Sequence, residues 1–521
     1  MRPSLEGSGP SARQRPREGH RMTRSSVYIR LCAMMFLQYV IWGAWAPVLA
    51  AHLQTELGLS GVQTALIFLL LPLAMMVSPF LGGQIADRWL PTQWFLAIVN
   101  VLAAVAMFVM AGAPDFATMW PLMLIWALLY APTLPLTNSL SFHHLKDPDK
   151  QFGWIRVWGT IGWIVAGLLL TLWRNEGFLA WLVAHRADSL VMGAAASMLM
   201  AVLSVFLPHT PPAREAKNPW AFGEALRLFR RPGFTTFMII SFVVITELQF
   251  YYLLTPVFLQ TIGVDPANVP ATMTIGQIGE IFVMAALLPW LLPKLGVARS
   301  LAIGVIAWPI RYVVFALMEP LWLVIASLPL PGFCYVFFFV VGQIYVDRVA
   351  PKDIRASAQS LLALITLGGG SVLGFLFAGQ TQDWFTAPTT ELRWQAAPGT
   401  SVVSSTPMWP GPVRVTLADE DLKPNTVEDE EGKSKLAQPS DDDTGTWHYD
   451  FGSRRLYVNT GVAPPDAETS VGVVQTNWRY VFLVPVAITV LCAIAFLLWF
   501  KDPEAEGEAE AEPEAPEEEA A

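Results

Sequence analysis

Residues Tyr130–Trp163 read YAPTLPLTNSLSFHHLKDPDKQFGWIRVWGTIGW. An apolar run ends in a short turn bearing His143, His144, Lys146 and Lys150, and a second apolar run follows. Arg156 lies near the start of that second run. Its guanidinium stays charged at any reachable pH. An ionisable group at the centre of a bilayer costs ~2.5–3.5 kcal/mol or more, so it marks a site unless it reaches back to the interface. Position alone leaves both readings of Arg156 open. Two apolar runs joined by a basic turn form the repeating unit of a polytopic membrane protein.

Working outward, the composition agrees. Of 521 residues, 54% are hydrophobic and 14% charged, with a mean hydropathy of +0.45. Soluble domains carry about 25% charged residues. The net charge of −9 comes from the tail: residues 502–521 hold ten acidic side chains and no basic one, leaving the remainder near +1. Charge therefore points to no nucleic-acid partner and no acidic substrate. Cys32, Cys334 and Cys492 all fall in apolar segments, which excludes a disulfide framework. No phosphate loop, nucleophile elbow or His-Glu-x-x-His occurs, so an enzyme is not expected, and neither is a cofactor or a metal. His143 and His144 read as interfacial residues.

A spanning helix needs ~20 apolar residues. That ruler predicts twelve spans at 27–51, 62–84, 92–112, 117–142, 154–173, 189–208, 233–262, 271–292, 298–318, 320–346, 357–379 and 478–500. Arg88, Lys146, Lys150, Arg214, Lys217, Arg227, Arg230, Arg231, Lys294, Arg299, Arg348, Lys352 and Arg355 all fall in even-numbered loops, while the short odd loops carry only Arg174 and Arg186. Basic loops stay inside, so both termini are expected in the cytoplasm. Residues 1–26, Arg-, Pro- and Ser-rich, read as a disordered extension, with Met22 an alternative start. Residues 27–208 form a first six-helix half. A linker, 209–232, holds an amphipathic piece at Trp220–Phe229, and 233–382 supplies helices 7–11. An insert of about 95 residues, 383–477, precedes helix 12 at 478–500, and 501–521 is the acidic tail. Within the insert, Asp419–Asp443 reads as an acidic linker and Trp447–Asn459 as a strand or hairpin. An all-α membrane fold of two six-helix halves is the major facilitator arrangement.

Polar residues at membrane depth are few: Gln38, Asn138, Glu247, Gln249, Gln277, Glu280 and Arg311. Gln277 and Glu280, three apart, share a helix face. A buried carboxylate must be paired or protonated. Glu280 is thus either the partner of a cation such as Arg311 or a group that takes up and releases a proton, and Glu247 reads as a helix-to-helix pair. GGQIADRWL (Gly82–Leu90) places Asp87 and Arg88 in the loop after span 2, a candidate gating motif.

LQYVIWGAWAPVLA (Leu37–Ala50), GGQIADRWL, YAPTLPLTNSLSF, IRVWGTIGW, ELQ (Glu247–Gln249), QIGE (Gln277–Glu280), IAWPIRYVVFA (Ile306–Ala316) and IRASAQ (Ile354–Gln359) together resemble the bacterial nucleoside:proton symporter family of the major facilitator superfamily. The resemblance implies import of nucleosides and protons across the inner membrane by alternating access, in a lipid bilayer and as a monomer. It implies substrate contacts at Arg156, Thr160, Trp163, Gln249, Gln277 and Glu280, with proton coupling at Glu280, and Tyr252 and Tyr335 are taken as further candidate contacts. Two positions depart from the pattern. Tyr252 stands where an Asn occurs in the family, and Tyr335-Val336 where an aromatic-Asp pair occurs. Those departures leave open a carrier of another small polar solute such as a sugar, and the insert leaves open a membrane sensor that uses it.

Overall fold

The computed structural model describes residues 24–78, 90–176, 187–211, 225–351, 354–389, 392–396, 401–418, 420–424, 426–428, 434–436, 440, 445–461 and 471–500. The N-terminal extension, Asp87 and Arg88, most of the amphipathic linker and the acidic tail lie outside them.

Eleven helices among the described residues are long and apolar enough to cross a membrane. They are α1 (Ser25–Thr55), α2 (Gly61–Ser78), α3 (Thr92–Met110), α4 (Phe116–His144), α5 (Gln151–Asn175), α6 (Asp188–Val205), α7 (Pro232–Thr261), α8 (Val269–Leu317), α9 (Leu321–Val349), α10 (Ser357–Trp384) and α11 (Trp478–Trp499). The sequence pattern predicts twelve, and the difference is α8. Its 49 residues run through both the eighth and the ninth expected span. Only Gly296, at φ 72° and ψ 179°, departs from helical geometry. Such a positive φ is open to glycine without a Cβ clash, so the chain bends there.

α1 packs on α5 and α6, and α3 on α4 and α6. α7 packs on α10 and α11, and α8 on α11. The two groups meet where α2 lies against α10 and where α5 lies against α8. Glycines set these approaches. A Cβ on Gly162 would stand 2.3 Å from the carbonyl oxygen of Phe36, and one on Gly43 would stand 2.8 Å from the Cα of Trp163. Backbone atoms cannot swing aside as a side-chain tip does. Gly162→Ala is therefore expected to separate α1 from α5 and cost about 1–3 kcal/mol. A lowered Tm of the detergent-solubilised protein checks this, and an unchanged Tm would contradict it.

The described residues of the insert form strands. One sheet runs in the order Thr386–Pro388, Val471–Thr476, Arg414–Leu417, Glu420–Asp421; a second runs Trp394–Ala396, Val402–Ser405, Arg455–Asn459, Thr446–Asp450, Lys423–Pro424. Val403, Met408, Val415, Tyr449, Leu456, Val458 and Val473 make its own core. The expected hairpin is present, with Tyr457 opposite His448. The expected acidic linker is corrected. Its described residues form short strands, Thr426–Glu428 pairing with Ser434–Leu436. Nearby, Leu422 packs on the insert core and Arg414 pairs with Asp421. At the hairpin turn, hydrogen bonds from Ser453 and the Gly452 amide hold the Asp450 carboxyl below its usual range. The insert docks on the helices through an Arg454–Glu319 ion pair and a 2.9 Å bond from the Gly411 amide to the Thr261 carbonyl.

Candidate functional site

Between the two helix groups lies a cavity of about 260 Å³. All eight candidate substrate contacts line it: Arg156, Thr160 and Trp163 on α5, Gln249 and Tyr252 on α7, Gln277 and Glu280 on α8, and Tyr335 on α9. Spacings of four and seven put the three α5 residues on one helix face. The close glycine contact of α1 with α5 carries that face to the cavity, and Trp42 meets Trp163 edge-on at 5.5 Å.

The Arg156 guanidinium lies 4.2 Å from the centre of the Tyr39 ring. A planar cation stacked on an aromatic face is held in orientation while its N–H groups remain free to donate. Glu280 lines the same cavity from the other helix group. No ion pair joins it to Arg156 among the described residues. Arg311 is not the partner of Glu280; it lies deep within the second helix group, fully buried. The Gln249 amide donates to the Ile245 carbonyl at 3.2 Å and to Ser371 Oγ at 3.3 Å, which fixes its rotamer. The Gln277 Oε1 is buried without a hydrogen-bond partner. An unsatisfied acceptor costs about 1–3 kcal/mol, which a ligand donor would offset.

Three π-helical turns flank the cavity in the second group, at Val283–Leu287, Tyr335–Val340 and Leu364–Gly370. Such turns rotate side chains out of α-helical register and recur at functional sites. Tyr335 points into the cavity, whereas Val336 is fully buried away from it. Several lining residues were not anticipated as a set: Tyr39, Gln343, Gln359, Thr366 and Ser371. Tyr39 sits three before Trp42, a same-face spacing that marks it. Gln359 lies in the quoted IRASAQ run. Gln38 and Asn138 are not in the lining. Gln38 instead clamps α1 to α4, donating to Thr133 Oγ1 at 2.7 Å while its carbonyl accepts from Tyr130 at 2.6 Å.

At the end of the bundle nearest the insert, polar contacts tie the two groups together. Asp383 of α10 accepts from the Gly61 and Val62 amides at 2.6 and 3.0 Å, capping the start of α2. Gln54 and Gln382 exchange two amide bonds at 2.9 and 2.6 Å. Arg174, paired with Asp188, also donates to the Pro266 carbonyl at 2.9 Å. Gln343 and Gln359 extend the lining toward the opposite end. A carboxylate at a helix N-terminus contributes about 0.3–1 kcal/mol, up to ~2 when partly buried. Asp383→Asn is therefore expected to open the insert side several-fold more often. The readout is labelling of a cysteine placed at Ser371 by a membrane-impermeant thiol reagent added on that side. An unchanged labelling rate would show that Asp383 does not latch the closed end.

The family model described as "Nucleoside H+ symporter" matches residues 25–398. The chain belongs to the nucleoside H+ symporter family. As a member of that family it is a membrane transporter, not an enzyme. It is 34% identical over 363 residues to the putative nucleoside transporter YegT of Escherichia coli (strain K12), covering 67% of this chain and 83% of that one. It is 30% identical over 379 residues to the nucleoside permease NupG of the same organism, covering 69% and 88%. The crystal structure of nucleoside transporter NupG superposes with a TM-score of 0.67 at 24% identity, covering 91% of this chain and 99% of that one. The symporter fold is thus the multi-span helical fold of the major facilitator superfamily, with the insert strands added between α10 and α11.

Proposed function

We infer that this chain imports nucleosides by proton symport through alternating access in the inner membrane. The observation that carries the reading is the meeting, at one cavity, of a fixed cation from the first helix group and a carboxylate from the second. In this reading Trp163 and Tyr335 stack the base, and Tyr252 closes the wall beside them. Arg156, Thr160, Gln249 and Gln277 bind the polar edges. Glu280 accepts ribose hydroxyls and carries the proton. A flat heterocycle with a polar rim suits aromatic faces flanked by amides.

The reading counts twelve spans. At ~1.5 Å per residue, a straight helix of 49 residues is more than twice the ~30 Å hydrocarbon core, so α8 crosses twice with its bend at Gly296. With basic loops inside, both termini are cytoplasmic and the insert is outside. The closed end at Asp383 is then the external gate, and the cavity faces the cytoplasm. Asp87 and Arg88 serve as the matching internal gate, and the transporter works as a monomer. The division into residues 1–26, 27–208, 209–232, 233–382, 383–477, 478–500 and 501–521 follows from the same topology.

Uptake of a panel of purine and pyrimidine nucleosides and a sugar into proteoliposomes tests the substrate class. Carriage of at least one nucleoside and not of the sugar is expected; carriage of the sugar alone would end the nucleoside reading.

A further inference from the structure

The second helix group holds a charged pair that the cavity does not use. Glu247 of α7 and Arg311 of α8 are both 0% exposed. Neither carboxylate oxygen of Glu247 has a hydrogen-bond partner, and neither has any of the three guanidinium nitrogens of Arg311. No ion pair links them among the described residues. Instead, the Arg311 guanidinium sits among three rings, 4.8 Å from Tyr251, 4.6 Å from Trp308 and 4.5 Å from Tyr312. The Tyr312 hydroxyl donates to the backbone carbonyl of Glu247, not to its carboxyl. The Tyr251 hydroxyl is also unpartnered, and its ring meets Tyr252 of the cavity wall edge-on at 5.4 Å.

Arg311 cannot lose its proton. Ring faces offset only part of its desolvation. Glu247 can become neutral, and a bare carboxylate with no hydrogen bond in an apolar interior is too costly to persist. The arrangement is therefore one half of an exchange: a protonated Glu247 standing apart from Arg311. The other half is an ionised Glu247 paired with it.

We propose that Glu247 is a second proton-carrying residue, which holds a proton in this conformation and releases it by closing onto Arg311. In that step the Glu247 O–H bond breaks, the proton passes to water, and the carboxylate gains the guanidinium as its counterion. The proposal rests on the symport reading and places Glu247 in series with Glu280, so loss of either uncouples transport. The other ionisable groups around Glu247 do not supply an alternative partner. Tyr251, Tyr252 and Tyr312 are neutral phenols, and Cys334 of α9 and Cys492 of α11 are buried thiols. α2 has no ionisable side chain, and α10 has only Asp383, at its insert-side end. His52 and Glu56 belong to the insert-side cluster with Arg174 and Asp188. Arg227, Arg230 and Arg231 lie at the other end of α7.

The test uses the full chain in proteoliposomes with a one-unit pH gradient, which supports about tenfold accumulation for one proton per substrate. Glu247→Gln mimics the protonated side chain. It is expected to keep nucleoside exchange across the membrane while accumulation falls to about unity. The double variant Glu247→Gln/Arg311→Gln removes both charges and separates coupling from folding. A purely structural pair predicts that the neutral double variant folds and accumulates normally; the proposal predicts that it exchanges but does not accumulate. Wild-type accumulation by either variant would overturn the assignment. Failure of the unmodified protein to exchange any nucleoside would instead refute the import reading.

Discussion

Arg156→Ala is expected to lower kcat/KM for nucleoside uptake about a hundredfold. Hydrogen bonds to a charged group contribute about 1.5–3 kcal/mol, and each 1.4 kcal/mol is a factor of ten. The guanidinium is stacked on Tyr39 at 4.2 Å and directed to the cavity, so little ordering remains to be done on binding. Alanine removes both the charge and the fork of donors. Arg156→Lys keeps the charge but loses the planar fork and the stacking, and a loss of about tenfold is expected. Initial-rate uptake in proteoliposomes separates the two variants. The competing view is that Arg156 is an interfacial anchor whose head reaches to the membrane surface. On that view lysine would serve as well as arginine, and both variants would leave KM unchanged.

Glu280→Gln is expected to abolish gradient-driven accumulation while leaving exchange within about tenfold of the unmodified protein. The amide still accepts a hydrogen bond from a ribose hydroxyl, and a neutral hydrogen bond contributes only about 0.5–1.5 kcal/mol. The amide cannot take up and release a proton, so coupling is lost at the same time. Glu280→Asp keeps the acid but withdraws it from the cavity, and partial coupling with a raised KM is expected. Exchange and accumulation measured on one preparation distinguish these effects. Loss of exchange in Glu280→Gln equal to the loss of accumulation would make Glu280 a binding residue and nothing more.

Much of this site was expected from the resemblance to the family, and helical spacing, which is local information, agrees with it. Arg156, Thr160 and Trp163 share a face by their spacing alone, and so do Gln277 and Glu280. The cavity draws on both sets because α5 packs on α8 through Gly167, whose Cβ would stand 2.5 Å from the Thr274 methyl. What stayed illegible was long-range. Ser371 joins the lining by holding Gln249 across 122 residues of chain, and no local pattern marks that pairing. The same limit applies to charge. Glu247, Glu280 and Arg311 look equivalent as polar residues at membrane depth, and only packing separates a cavity carboxylate from one enclosed with an arginine among rings. The helix count differs at α8 because two helices join there directly at the Gly296 kink, with no loop between them, whereas a hydropathy reading expects a loop. The insert strands were under-read for another reason. Two- and three-residue strands carry too little alternation to stand out in an acidic stretch, yet Glu420–Asp421 and Lys423–Pro424 join the two insert sheets while Thr426–Glu428 pairs with Ser434–Leu436 nearby.

The measurement that tests the central claim most directly is simultaneous recording of nucleoside and proton entry into proteoliposomes that start with no pH gradient and no membrane potential. Coupled import through this cavity predicts that adding nucleoside outside acidifies the lumen in step with nucleoside entry, and that Glu280→Gln takes up nucleoside to equilibrium without acidification. Nucleoside entry by the unmodified protein with no accompanying change in internal pH would contradict the account.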